Sequence, residues 1–148
     1  MEPTADDLLA DFPVVLSVVV QWGDQDSMQH VNNVVYFRWC ESARIEYFHK
    51  IGLLERRHTE GVGPILASIR CDFRKQLNFP DTVRVGARIA RIGRSSVTME
   101  HRIVSVGQHV VAAEAESTMV VFDYHAGKSH PVPEDLRKAI EHIEGRKF

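Results

Sequence analysis

Cysteine is nearly missing from this chain: two in 148 residues. Cys40 and Cys71 can build neither a disulfide framework nor a paired zinc site, and both fall inside apolar patterns that read as buried thiols. Charge of one sign is missing too. Lys and Arg total 18 against 20 Asp and Glu, a formal net charge of -2, so no global positive field draws the chain to nucleic acid. The longest apolar run, Val14 to Val20 with Ser17 inside it, falls well short of the ~20 residues that cross a bilayer. Met1-Glu2-Pro3-Thr4-Ala5-Asp6-Asp7 is acidic where a secretory signal is basic. The expectation is a cytoplasmic protein with no membrane and no nucleic-acid partner. Repeats and low-complexity tracts are absent, and the length suits one domain over 1–148 with a loose segment at 1–12.

What is present is a clear change of period along the chain. Val14 to Trp22 is Val- and Leu-rich, too short for a helix, and stops at Gly23-Asp24, which predicts a central strand. From Asn33 to Ile51, Tyr36, Cys40, Ala43, Tyr47 and Ile51 recur at helical steps, with Asn32 as N-cap and Gly52 as the stop. A polar connection follows. Ile65, Ala67, Ile69, Cys71 and Phe73 then alternate with polar residues, and segments around Val83–Ile89, Val97–Ile103 and Val111–Ala115 repeat that two-residue period. Short breaks at 78–81, 92–94 and 106–108 make these strands antiparallel neighbours. Pro133 opens a short terminal helix. The order predicts an α+β fold: five antiparallel strands covering one long helix.

Several motifs fail on inspection. Gly127-Lys128-Ser129 ends like a phosphate-binding loop but has Phe122 where the first glycine belongs, and no Gly-x-Ser-x-Gly elbow occurs. Read from Asp24, the calcium-loop pattern puts Met28, Gln29 and Val35 at positions that need an oxygen ligand, a glycine and a glutamate. His101 sits on the apolar phase of its strand and reads as a buried histidine; with the other histidines scattered, no metal and no cofactor are expected. The loop from Gly23 to Asn33 is different, because it places two carboxylates, an imidazole and two amides just before a long helix. Unpaired N–H groups and the dipole at a helix start favour negative charge there. A thioester suits that arrangement: the helical N–H groups can polarise its carbonyl, while an ionised Asp attacks the carbonyl carbon or activates a water.

Trp22-Gly23-Asp24-Gln25-Asp26 through His30-Val31-Asn32-Asn33, then Tyr36 and Glu41-Ser42-Ala43-Arg44, resembles the hotdog-fold acyl-CoA thioesterases of the 4-hydroxybenzoyl-CoA and Tol-Pal-associated thioesterase group. Phe79-Pro80-Asp81, Phe122-Asp123 and Pro131-Val132-Pro133 extend the match over most of the chain. The resemblance implies Asp26 as the catalytic carboxylate, the Asn33 backbone N–H as the donor to the thioester carbonyl, and an acyl-CoA or other acyl thioester as substrate. It also implies a homodimer or homotetramer with the site shared between subunits, and carrier phosphates on basic residues near the third and fourth strands, for which Arg91 and Arg94 are the candidates. Asp24 reads as structural, and His30 as either a substrate-positioning group or a loop hydrogen-bonder. Tyr36, with Trp39 and Phe48, reads as core, though one turn from the donor it is also a candidate substrate contact. The family's usual glycine before His30 is Gln29 here. Alternatives on the same fold are an acyl-thioester hydratase or dehydratase and a non-catalytic acyl-CoA-binding protein.

Overall fold

The computed structural model describes residues 2–148. Its centre is α2 (Asn33–Lys50), whose buried stripe of Val35, Tyr36, Trp39, Cys40, Ala43, Arg44, Tyr47 and Phe48 repeats every helical turn and faces a sheet. The strands are β1 (Val14–Val19), β2 (Val62–Phe73), β3 (Thr82–Ile92), β4 (Ser96–Ser105), β5 (Val110–Asp123) and β6 (Lys128–Ser129). They pair antiparallel in the order β1-β3-β4-β5-β2, with the two-residue β6 attached to the end of β5. The inner face is the apolar phase expected from alternation: Val83, Val85, Ala87 and Ile89 on β3 and Met99 and Ile103 on β4 are fully buried. This is the hotdog arrangement, a curled sheet around a long helix. The terminal helix α4 (Glu134–Glu144) docks by Glu144, whose Oε2 accepts from the Tyr47 hydroxyl at 2.5 Å and from the Ile89 N–H at 2.9 Å.

Five local expectations need correction. The segment read as loose is instead folded against the outer sheet face. Thr4 and Asp7 cap α1 (Ala5–Leu8) reciprocally, and Leu9 and Phe12 are buried with Val104. Phe12 seats because β3 carries glycine opposite it: a Cβ on Gly86 would stand 2.7 Å from the Phe12 ring. Arg88 and Arg102 lie 4.5 and 5.1 Å from that ring's centre, and Asp6 pairs with Arg84 at 2.8 Å. The polar connection after α2 is a second helix, α3 (Leu53–Glu60), entered through left-handed Gly52 and left through left-handed Gly61. The first strand stops at Val19, and Trp22–Asp24 form a 3-10 turn. Along β2 the register shifts between Leu66 and Ser68, so Ala67 bulges: Leu66 pairs with buried Met119 and Ile65 with Val120, yet Leu66 stays 44% exposed at this edge of the sheet. Cys40 is fully buried as expected, but Cys71 on edge strand β2 is half-buried.

Candidate active site

The loop between β1 and α2 is folded by its own polar residues. Asp24 Oδ2 accepts from the Gln21 N–H at 2.8 Å and its carbonyl accepts from the Asn32 N–H at 2.9 Å, so its work is structural. Asp26 donates its N–H to the His30 carbonyl at 2.9 Å, and its own carbonyl accepts from the Gln29 N–H at 2.9 Å. One carboxylate oxygen, Oδ1, holds the Met28 N–H at 2.9 Å in an Asx turn. The other oxygen has no protein partner among the described residues, and the residue is exposed. The loop is pinned to the segment before β3: Val31 N–H to the Leu77 carbonyl at 2.8 Å, Asn78 Nδ2 to the Gln29 carbonyl at 2.6 Å, and Phe79 N–H to Gln25 Oε1 at 3.1 Å.

Gln29 has φ of 63°, in the left-handed region. The position where the family usually carries glycine is thus one whose backbone favours glycine, and a side chain there costs about 1–2 kcal/mol. Glycine's greater loss of freedom on folding returns about 0.5–1 kcal/mol of that. Gln29→Gly should therefore stabilise the protein by about 0.5–1 kcal/mol, read as a higher midpoint in urea unfolding with the slope unchanged.

The loop delivers the chain to α2 with its first donors partly occupied. Asn32 Oδ1 caps the Val34 N–H at 3.0 Å and the Asn32 carbonyl takes the Val35 N–H at 2.9 Å. The Asn33 N–H is left with no acceptor among the described residues, and it stands at the positive end of an 18-residue helix. Beside it lies a cleft of about 350 Å³, lined by Asp26, His30, Val31, Asn33 and Tyr36 from the loop and helix and by Phe73, Arg74, Lys75 and Gln76 from the end of β2 onward. Tyr36 is buried and braced edge-on by Phe73, ring centres 4.9 Å apart. Burial, and next the neighbouring Cys71 thiol, push its hydroxyl up to about 12, so at neutral pH it is an uncharged hydrogen-bond donor.

Asp26, His30, Asn33 and Tyr36 are therefore brought together; Arg91 and Arg94 are not. The loop leaves β1 where Val19 pairs with Thr82, at the start of β3. Arg91 is near the other end of that 11-residue strand, about 30 Å away at ~3.3 Å per residue. Arg91 donates to Thr98 Oγ1 at 3.1 Å, and the Arg94 carbonyl takes the Val132 N–H at 2.8 Å. The residues that alternation hid are Phe73 to Gln76. They line the cleft because β2 ends there and its chain turns under the loop, a tertiary placement that no two-residue period signals. A second hollow, about 280 Å³ on the outer sheet face, is walled by cross-strand ion pairs such as Arg88–Glu100 at 2.9 Å and Arg102–Glu114 at 3.2 Å. Its charges are matched to one another. Among the described residues no three His, Cys, Asp or Glu side chains cluster as metal ligands.

Residues 20–140 match the model of the thioesterase-like superfamily. Among solved structures, a thioesterase from Thermus thermophilus, complexed with coenzyme A and zinc, is 33% identical with a TM-score of 0.82, covering 93% of this chain and 98% of that one. The protein YsmA of Bacillus subtilis (strain 168), described as uncharacterized, is 32% identical over 85 residues, 57% of this chain and 56% of its own length. The long-chain acyl-CoA thioesterase FadM of Escherichia coli (strain K12) is 21% identical over 118 residues, 80% of this chain and 89% of that protein. The chain spans about half the length of the first curated relatives it matches. No helix among the described residues is long and apolar enough to cross a membrane.

Proposed function

We propose that this chain, which belongs to the thioesterase-like superfamily, hydrolyses acyl-CoA thioesters to a carboxylic acid and free CoA. The observation that carries the reading is the single cleft in which a solvent-accessible carboxylate with a free oxygen meets an unpaired helix N-terminal N–H. With the thioester carbonyl oxygen against the Asn33 N–H, negative charge developing on that oxygen is stabilised, an effect typically worth about 2.7–4 kcal/mol for one such donor. Asp26, ionised, either adds to the carbonyl carbon or takes a proton from the water that does. The C–S bond breaks, the thiolate leaves with a proton, and one water is consumed per acid and thiol formed. His30, whose ring has no hydrogen-bond partner among the described residues, positions the water or the substrate.

The reading includes a cytoplasmic homodimer or homotetramer. Edge strand β2 has one side unpaired and exposes Leu66 and Phe73, with Val34 and Ile45 exposed on α2, so an apolar edge is open to a second copy.

The test is turnover. The protein, incubated with acyl-CoAs of graded chain length and with aromatic acyl-CoAs, should release free thiol and acid one to one. Tight acyl-CoA binding without release across the panel would assign a binding protein, and hydration of an enoyl-CoA without thiol release would assign a hydratase.

A further inference from the structure

Ten large apolar side chains are exposed among the described residues. Leu66, Phe73, Val34 and Ile45 lie on the β2–α2 edge assigned above to a second copy, and Tyr124 stands under the Arg57 guanidinium. The other five, Val19, Trp22, Met28, Phe79 and Val106, gather at one end of the sheet from three separate stretches of chain. Val19 pairs with Thr82, whose carbonyl takes the Val106 N–H at 2.9 Å. Trp22 meets Phe79 edge-on, ring centres 5.9 Å apart, and Met28 sits on the loop that Gln25 and Gln29 pin to Phe79 and Asn78. Single apolar residues scattered over a surface need no explanation; a group brought together from three stretches marks a contact.

Charge and backbone decide what that contact is with. No Lys or Arg occurs in residues 19–37, 76–83 or 103–113, the stretches that build this end. Its carboxylates are largely turned inward: Asp24 Oδ2 holds the Gln21 N–H, and Asp81 holds the Thr82 and Gly107 N–H groups and the Ser105 hydroxyl. The main chain is committed as well, since the N–H groups of Val20, Asp24, Val31, Asn32, Phe79 and Val106 all donate within the chain. A protein partner is recognised by directional hydrogen bonds and matched charges around an apolar centre, and this end has few of either to offer. A lipid surface asks for neither: apolar side chains enter it without direction, and Trp settles at the level of the headgroups.

We infer that this end of the sheet docks on a lipid bilayer without net charge, with Trp22, Met28 and Phe79 entering at headgroup depth. The expectation of no membrane partner came from the absence of a spanning run, which does not bear on a contact made by exposed side chains at a surface. Docking brings the Asp26 loop, which carries Met28, against the layer in which acyl chains dissolve. That consequence rests on the thioesterase reading, whereas the docking itself does not.

The chain carries its own reporter, because of its two tryptophans Trp22 is 70% exposed and Trp39 only 5%. Titrated with phosphatidylcholine vesicles, the full-length protein should shift its Trp22 emission to shorter wavelength and should sediment with the vesicles. Met28→Asp changes a side chain that is 73% exposed and outside the packed core, so the fold should stand while vesicle affinity falls about tenfold or more, the scale of one apolar side chain withdrawn from the layer. Adding phosphatidylglycerol to the vesicles should not tighten binding, since this end has no Lys or Arg to attract it. Wild type that neither shifts nor sediments would overturn the inference, as would binding that appears only on anionic vesicles and fades with salt. A shift without lipid that grows with protein concentration alongside a rise in mass, both lost in Met28→Asp, would overturn it in favour of a contact between copies. None of these readouts uses a thioester, so their failure is separate from a failure of the hydrolase reading.

Discussion

Asp26→Asn should lower kcat for acyl-CoA hydrolysis by about 10²–10⁴-fold, the range for loss of a positioned base, while leaving the melting temperature within error of wild type. The two halves of that expectation come from the two oxygens of one side chain. Oδ1 is engaged by the Met28 N–H at 2.9 Å, and an asparagine carbonyl can accept the same bond, so the loop keeps its turn. The remaining oxygen faces the cleft without a protein partner, and replacing it by an NH₂ group removes both the negative charge and the lone pair that attack or proton removal needs. The cleft wall and the Asn33 N–H are untouched, so KM should change little and the loss should sit in kcat. Free-thiol assays at saturating acyl-CoA, paired with thermal melts, read both quantities. A variant that retains full kcat would take Asp26 out of the chemistry; one that melts early would mean its role is to hold the loop.

Much of this site was legible because its signals are local. The turn that shapes Asp26 is made by residues within four positions of it, and the N-cap that leaves Asn33 free is Asn32 itself, adjacent in sequence. The long helix and the stretches Val83–Ile89 and Met99–Ile103 were legible for a related reason: the apolar residues that recur there at the expected steps are buried, ahead of the register shifts at Ile89/Arg91 and Ile103/Val104. Where the period breaks, sequence and structure part. Alternation carried straight through β2 puts Ile65 and Phe73 on one face, but the bulge at Ala67 shifts the phase, so that Leu66, not Ile65, pairs with buried Met119 while remaining exposed at the sheet edge. The first dozen residues read as loose because Leu8, Leu9 and Phe12 are too few to show a period. Their burial depends on Gly86, far away in sequence, clearing a seat for one ring. Asp81 was visible only as part of a resemblance. Its carboxylate takes the N–H groups of Thr82 and Gly107 and the Ser105 hydroxyl, joining the start of β3 to the β4–β5 turn, which no sequence spacing announces.

Folding stability should depend steeply on pH through one core histidine. His101 lies on the inner phase of β4, is 2% exposed, and places Nδ1 3.2 Å from the Gly86 carbonyl and Nε2 3.5 Å from Ser117 Oγ. A carbonyl can only accept, so Nδ1 carries the proton and Nε2 is left to accept from the serine: a neutral imidazole. Burial first, and then the nearby Arg44 guanidinium, lower its pKa from 6.5 to about 3. In the unfolded chain the same group titrates near 6.5, so between those values the unfolded state binds more protons than the folded one. The contribution to stability is therefore fully present above about pH 6.5 and is lost as pH falls toward 3. Each pH unit in that window removes about 1.4 kcal/mol at most, a few kcal/mol in all. His101→Asn, which keeps a donor for the Gly86 carbonyl but cannot be protonated, should flatten that slope even if it starts from a lower stability at pH 7. Urea unfolding at intervals from pH 7 to pH 4 measures it. An acid limb equally steep in the variant would assign the proton uptake to a group other than His101. A flattened one would assign it to His101, whose charging is opposed first by burial and then by the Arg44 guanidinium.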